Sequence, residues 1–203
     1  MTETTYIIGC GGHARSVADI LIHVSKEVAI VFIDKNAREG ETIFNFPIWK
    51  EKDFLSTDRA FVALGNNEER NTFIIQNPQL NYISIISKTA HIGIESNVRE
   101  GAFIGHNAHI GPQSAIGSHC IINNGAIVEH EVSVGNYCHI GPNATISGRS
   151  SIGDLVFLGV GSTVIDGISI CSNVIIGAGS TIVRNITEPG TYVGSPAKKI
   201  KHG

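Results

Sequence analysis

Residues 104–121 read IGHNAH, IGPQSA and IGSHCI, and this six-residue pattern decides the fold. The pattern runs from Ile86 to Thr187 as seventeen consecutive hexads without an insertion. The first position of every hexad is Ile, Val or Leu, and the fifth is small or β-branched. An amphipathic helix repeats every 3.6 residues, so a strict period of six indicates a coil of three short strands instead.

The hexads predict a parallel β-helix with about 18 residues in each coil. We expect position one to fill the interior, position five to fit beside it at the corner, and the turns to lie near positions three and four. The frequent glycine at position two is expected to let the backbone turn sharply. After Thr187 the repeat stops, and a segment containing Pro189 and Pro196 is expected to cap the open end of the coil.

The chain before the repeats has a different pattern, so we divide it into a small α/β domain at 1–85 and a β-helix domain with its C-terminal cap at 86–203. Apolar runs at 6–8, 28–33 and 60–64 predict three or four parallel strands. A helix should follow the first strand, a short polar helix should cover roughly 50–56, and a third helix should end near Gln76.

The turn after the first strand, GCGGHA at 9–14, reads as GxGxxA, a variant of the dinucleotide fingerprint. Glycines let the backbone close on a phosphate, and a helix N-terminus offers unpaired N–H groups. Asp34 follows about twenty residues later, where a carboxylate can bind ribose hydroxyls, and Gly65 would flank the same crevice. About 80 residues make half a Rossmann fold, which holds a single nucleotide or a sugar attached to one. A tight strand–helix turn without a ligand is the alternative.

Composition restricts the function class. The net charge is −3, which does not indicate nucleic-acid binding. There is neither a transmembrane stretch nor a basic signal-peptide region at the N-terminus, so we expect a cytoplasmic protein without membrane contact. Cys120 and Cys138 are one coil apart and should be buried thiols rather than a disulfide.

His130 lies between two acids in VEHEV, residues 128–132. An imidazole held in one tautomer by a carboxylate is suited to act as a general base. Glu131 can reach the ring if the chain bends there, and Glu129 remains a rival. His139 follows half a coil later, on a different face, so the two histidines would meet only across a subunit interface, as a cyclic trimer would allow. The spacing of the histidines does not match the zinc ligands of γ-class carbonic anhydrases, so no metal is expected.

Taken together, these features resemble the bacterial nucleotide-sugar N-acetyltransferases of the hexapeptide-repeat class, grouped with the sialic acid O-acetyltransferase-like sugar acyltransferases. The motifs that carry the resemblance are GCGGHAR at 9–15, FID at 32–34, ALGNNEER at 63–70, the hexads, VEHE at 128–131 and YVGSPAKKI at 192–200. The resemblance implies a left-handed coil, a homotrimer with active sites at subunit interfaces, and acetyl-CoA as co-substrate in a groove between two coils.

The resemblance also implies roles for individual residues. His130 would be the general base and Glu131 the carboxylate that raises its basicity. The nucleotide sugar would be held by Gly11, Gly12, His13, Asp34, Lys35 and Gly65. Acetyl-CoA would be bound by His139, Gly148, Val160 and Ala178, with the exposed cation Lys198 suited to a phosphate. Lys35 departs from the family, which often has a second acid there.

The expected activity is acetyl-CoA-dependent N-acetylation of the 4-amino group of a nucleotide-linked 4-amino-4,6-dideoxy sugar, for surface glycan biosynthesis. O-acetylation of a sialic-acid-type sugar is the rival reaction. A non-catalytic β-helix scaffold is the rival of a different class, although a scaffold has no reason to place an imidazole between two acids.

Overall fold

The structure is a computed structural model that describes residues 3–24 and 27–200. It divides into two compact units, residues 1–85 and residues 86–203. The predicted architecture, an α/β unit followed by a parallel β-helix, is confirmed. Among the described residues, no helix has the length and apolar character that a membrane span requires.

The described residues of the first unit, 3–24 and 27–85, form a sheet with two helices. Its strands are β1 (Thr4–Ile8), β2 (Ala29–Ile33), β3 (Thr42–Ile43), β4 (Phe46–Trp49), β5 (Arg59–Val62) and β6 (Asn81–Tyr82), and its helices are α1 (Gly12–Val24) and α2 (Asn67–Gln76). The strand order is β3-β4-β2-β1-β5-β6, and every pairing is parallel except β3 with β4.

The centre of this sheet is also where the chain reverses its direction of winding. From β1 the chain passes through α1 to β2 on one side, whereas from β5 it passes through α2 to β6 on the other. Ligands of open α/β sheets bind outside the carboxyl ends of the strands at such a switch point. The loops after β1 and β5 therefore form the edge where a ligand is expected.

Two details of the predicted α/β unit are wrong. Five strands are parallel, not three or four, and residues 50–56 form no helix. The Asp58 carboxylate accepts the backbone N–H of Leu55 at 2.8 Å and pairs with Lys52 at 2.9 Å, which fixes a turn. Phe54 packs edge-on against Tyr6 with 6.1 Å between ring centroids, so tertiary packing overrides local helix propensity.

Residues 86–200 of the second unit form three sheets, which we call faces one, two and three, and all their strand pairs are parallel except β24 with β25. Face one contains β7 (Ile85–Ile86), β10 (Phe103–Ile104), β13 (Ile121–Ile122), β16 (His139–Ile140), β19 (Phe157–Leu158), β22 (Val174–Ile176), β24 (Gly190–Val193) and β25 (Lys198–Lys199). Face two contains β8 (His91–Ile92), β11 (His109–Ile110), β14 (Ile127–Val128), β17 (Thr145–Ile146), β20 (Thr163–Val164) and β23 (Thr181–Ile182). Face three contains β9 (Asn97–Val98), β12 (Ala115–Ile116), β15 (Ser133–Val134), β18 (Ser151–Ile152) and β21 (Ser169–Ile170).

The register of these sheets is 18 residues, as the hexads predict. Ile121 pairs with His139, and His139 pairs with Phe157. Position-one residues from Ile104 to Ile182 are buried, as are the position-five residues from Ala102 onward. Ile86 and Ile92 are each 38% exposed, because they belong to the first coil of the stack.

The turn is made at position four, not by the glycine at position two. Every position-four residue from Glu95 to Gly179 has a left-handed φ, between 55° and 69°. Position-two glycines instead permit close stacking of the coils. A Cβ at Gly111 would lie 2.5 Å from the backbone nitrogen of His130 in the next coil, for example. The glycines at position two therefore allow successive coils to approach closely, and the chain bends two residues later, at position four.

The C-terminal segment folds back onto face one. β24 pairs in parallel with β22, and β25 pairs with β24 in antiparallel fashion. The backbone N–H of Ala197 donates to the carbonyl of Thr181 at 2.8 Å, and Lys199 pairs with Glu188 at 3.0 Å.

Candidate active site

His130 and Glu131 form a hydrogen-bonded pair at the corner between faces two and three. The distance from His130 Nδ1 to Glu131 Oε2 is 3.0 Å. The left-handed φ of Glu131, 59°, provides the bend that lets adjacent side chains meet. The two side chains are 43% and 52% exposed, so the pair faces outward from the coil.

This geometry assigns the protons of the imidazole. A carboxylate can only accept a hydrogen bond, so Nδ1 carries the proton and donates to Glu131. In the neutral form of this ring the lone pair is on Nε2, the arrangement that a general base requires. The partner of the imidazole in the structure is Glu131.

Gly148 makes room for the imidazole. It lies one coil after His130, and a Cβ at this position would lie 2.5 Å from His130 Cε1 and 2.7 Å from Nε2. The family resemblance implied that Gly148 binds acetyl-CoA. The structure places it against the ring of the candidate base.

His139 lies on face one, which is opposite the His130 corner in the three-sided cross-section. Its Nε2 is 3.1 Å from the side-chain nitrogen of Asn123, and its ring meets Phe157 edge-on with 5.1 Å between centroids. Because an amide nitrogen only donates, Nε2 is the acceptor and Nδ1 carries the proton. Sequence reasoning missed Asn123; the available signal was a polar residue at position two, where glycine is frequent.

The other residues predicted to bind acetyl-CoA lie on or beside face one. Val160 and Ala178 are exposed and occupy the same corner, between faces one and two, one coil apart. Lys198 is exposed on β25, the edge strand of face one. Within one chain, these residues and His139 therefore lie away from His130 and Gly148.

In the first unit, the glycine turn packs against the loop that follows β5. Gly9 has a φ of 101°, and a Cβ there would lie 3.1 Å from the Leu64 side chain. Gly11, Gly12 and Gly65 are exposed, and a Cβ on any of them would meet nothing within 4 Å. The structure thus leaves open space at the N-terminus of α1, at the switch point of the sheet.

Asp34 fixes the shape of this turn. Its Oδ2 accepts the backbone N–H of Cys10 at 3.2 Å and the Cys10 thiol at 3.1 Å, and its Oδ1 accepts the backbone N–H of Asn36 at 2.9 Å. Desolvation by burial opposes ionisation, but the hydrogen bonds from Asn36 and Cys10 hold the pKa of Asp34 below its ordinary value. Burial, with the hydrogen bond to Asp34, raises the pKa of Cys10 to about 11, so this thiol stays protonated.

Arg70 fixes the loop on the other side of the crevice. Its side chain is buried, and it donates to the Leu64 carbonyl and to the Asn67 side chain, each at 2.8 Å. Asn66 caps α2 by accepting the N–H groups of Glu68 and Glu69. Sequence reasoning missed the role of Arg70. Of the two remaining nucleotide candidates, Lys35 is exposed, and His13 packs edge-on against Phe61 with 6.3 Å between centroids.

The cysteines at 120 and 138 are interior residues of the coil. Cys120 and Cys138 are buried free thiols that donate to the carbonyls of Gly135 and Gly153, each at 3.0 Å. Across residues 3–24 and 27–200, no three His, Cys, Asp or Glu side chains come together in a group that could hold a metal ion.

Family models match both units. The PglD N-terminal domain matches residues 5–76. The bacterial transferase hexapeptide, with six repeats, matches 95–130 and 114–148, and the hexapeptide repeat of succinyl-transferase matches 149–184. A search of curated protein sequences found no match.

Solved structures match the whole chain. A histidine variant of perosamine N-acetyltransferase from Caulobacter crescentus, in complex with CoA and GDP-perosamine, is 30% identical with a TM-score of 0.87, over 98% of this chain and 97% of that one. The acetyltransferase domain of PglB from Neisseria gonorrhoeae is 26% identical with a TM-score of 0.91, over 98% and 100%. WeeI from Acinetobacter baumannii, at 20% identity and a TM-score of 0.89 over 98% and 100%, shares the fold.

Proposed function

The chain belongs to the sugar N-acetyltransferases that join a PglD N-terminal domain to hexapeptide repeats, and we propose that it acetylates the 4-amino group of a nucleotide-linked 4-amino-4,6-dideoxy sugar. Acetyl-CoA is the donor, in keeping with the solved structures of relatives that contain CoA or acetyl-CoA. The product would enter surface glycan biosynthesis. The observation that carries the proposal is the His130–Glu131 hydrogen bond on an exposed corner of the coil.

The reaction is a direct transfer. The lone pair of the neutral amine attacks the thioester carbonyl, and Nε2 of His130 accepts the proton that the nitrogen loses. The tetrahedral intermediate collapses with cleavage of the C–S bond, and the CoA thiolate leaves and takes the proton from the His130 imidazolium, which restores the base. Backbone N–H groups are suited to stabilise the oxyanion. Glu131 holds His130 in the tautomer that the proton transfer requires and stabilises the imidazolium that forms.

The active site is proposed to combine two chains. His130 and Gly148 lie at one corner of the coil, whereas His139 and Lys198 lie on the opposite face, so one chain cannot bring them together. A cyclic trimer of three-sided coils would place the His130 corner of one subunit beside face one of the next. Acetyl-CoA would then lie in the groove between them, with His139 near the thioester and with Val160 and Ala178 along the pantetheine.

The nucleotide is proposed to bind at the switch point of the first unit. Open space at Gly11, Gly12 and Gly65 allows a diphosphate to approach the backbone, and the N-terminus of α1 favours its negative charge. His13 and Lys35 border this crevice in sequence, and Asp34 shapes it through Cys10.

The test is turnover with a panel of substrates. Acetyl-CoA is supplied with UDP-, dTDP-, GDP- and CMP-linked 4-amino sugars, and the release of free CoA is followed. We expect one nucleotide class to be acetylated, and His130→Ala to lose activity by about 10²–10⁴-fold, the range of general-base catalysis. Full turnover by His130→Ala would show that the proposed base is wrong.

The same assay distinguishes the alternatives. Sialic-acid-type sugars with free hydroxyls replace the amino sugars in a parallel series, and acetylation of these alone would support O-acetylation. If the protein binds nucleotide sugars but transfers no acetyl group to any substrate, it would be a non-catalytic module. Thermal shift with UDP, dTDP, GDP and CMP identifies the nucleotide, because a ligand that binds only the native state raises its stability.

A further inference from the structure

The His130 corner, formed by residues 94–95, 112–113, 130–131, 148–149 and 166–167, holds a polar side chain on each side of Glu131. Gln113 comes one coil before Glu131 and Arg149 one coil after it. All three have left-handed φ values, from 56° to 60°, and so occupy equivalent places in the turn. Stacked strands are about 4.8 Å apart, so both neighbouring side chains can reach the Glu131 carboxylate.

Both neighbours are instead bonded away from Glu131. Gln113 donates from Nε2 to Glu95 Oε2 at 2.7 Å, toward the preceding coil. Arg149 pairs through Nη2 with Asp166, toward the following coil. Glu131 accepts the hydrogen bond from His130 Nδ1 at 3.0 Å, which is the bond that the reaction requires.

Arg149 is the stronger of the two competitors. A guanidinium binds a carboxylate through charge-assisted hydrogen bonds, which are roughly twice as strong as those of a neutral amide. Asp166 is two coils from His130, about 10 Å along the stack, and so acts on the imidazole only through other groups. If Asp166 were removed, Arg149 could instead bind the Glu131 carboxylate, which occupies the equivalent turn position in the preceding coil.

We propose that Asp166 is a positioning residue for the acetyl transfer, because it holds Arg149 away from Glu131 and so reserves the Glu131 carboxylate for His130. Without Asp166, the guanidinium competes with His130 Nδ1 for the Glu131 carboxylate, and the imidazole is held less firmly in its tautomer. This inference rests on the proposed role of His130 as the base.

The test is a double-mutant cycle on kcat. Asp166→Asn should lower kcat about tenfold with the KM of both substrates within about twofold, because the groups that bind substrate are unchanged. Arg149→Gln should retain kcat within about twofold, since it removes the competitor. The double variant Asp166→Asn, Arg149→Gln should recover kcat to within about twofold of the wild type.

Glu95→Gln is the matched control. It removes one negative charge from the same corner and releases a neutral amide rather than a cation, so kcat should stay within about twofold. Asp166 and Arg149 have side chains that are 51% and 59% exposed, so the variants are expected to fold, and thermal unfolding verifies this.

Three results would overturn the inference: wild-type kcat in Asp166→Asn, no recovery in the double variant, or an equal loss in Glu95→Gln. His130→Ala is measured in parallel. If His130→Ala is inactive and the Asp166 series is unaffected, only this inference fails. If His130→Ala retains full turnover, the proposed function fails as well.

Discussion

Replacing Gly148 by alanine tests whether the His130 ring must lie where the structure places it. A Cβ on Gly148 would lie 2.5 Å from Cε1, 2.7 Å from Nε2 and 3.1 Å from Nδ1 of His130. Non-bonded carbon atoms are ordinarily about 3.5–4.0 Å apart, so the ring must retreat by about 1 Å. The ring is partly exposed and can move outward, so the coil should still fold.

The consequence for catalysis follows from the bond to Glu131. A retreat of about 1 Å would lengthen the Nδ1–Oε2 distance from 3.0 Å to about 4 Å, beyond hydrogen-bond range. A misplacement of about 1 Å can cost about 10²-fold in rate. We therefore expect kcat of Gly148→Ala to fall about 100-fold, with a much smaller change in the KM for the nucleotide sugar.

The assay is steady-state release of CoA with both substrates varied, alongside thermal unfolding. Gly167→Ala is the control at the same corner: a Cβ there meets nothing within 4 Å, but the φ of 69° makes alanine unfavourable. It should lose about 1 kcal/mol of stability and keep its kcat. Wild-type kcat in Gly148→Ala would refute the reasoning that the position of the His130 ring limits the reaction.

Two further predictions concern the two units separately. Asp34→Asn should raise the KM for the nucleotide sugar several-fold. The pKa of Asp34 is lower in the folded protein than in the unfolded chain. The Asp34 carboxylate therefore stabilises the fold above about pH 4, and this stabilisation is lost as the pH falls through the folded pKa. Urea unfolding should therefore show that the wild type has a larger free energy of unfolding than Asp34→Asn near pH 6, and that this difference disappears in acid. A difference that does not depend on pH would contradict this. Ile122→Ala, at a fully buried position one, should cost about 2–5 kcal/mol, whereas Ile175→Ala, 48% exposed on the same face, should cost less than about 1 kcal/mol.

The hexads predicted the coil because the period of six is a property of the whole stack. Ile104 and Ile122 are both buried, one coil apart, as position one requires. The expectation that the turns lie near positions three and four is confirmed, whereas the turning role expected of the position-two glycine is wrong. Eight of the fifteen position-four residues from Glu95 to Gly179 are Gly or Asn, which adopt a left-handed φ readily, whereas at Glu131, Tyr137 and Leu155 the coil imposes it.

The candidate site was predictable in part. The VEHEV motif identified His130, but only the bend at Glu131 shows which acid the ring contacts. Asn123 and Arg70 were missed because their partners, His139 and the Leu64 carbonyl, come near only through stacking of coils or folding of a loop. Residues 50–56 were predicted as a helix because the sequence does not reveal the bonds of Asp58.

The central claim is that each active site takes His130 from one chain and His139 from another, and a subunit-mixing experiment tests it most directly. His130→Ala and His139→Ala proteins are each assayed alone, then unfolded together in equal amounts, refolded and assayed again. With random assembly of a cyclic oligomer, about one quarter of the interfaces should pair an intact His130 with an intact His139. Recovery of about a quarter of wild-type activity is expected, and a mixture no more active than the two variants alone would contradict the account.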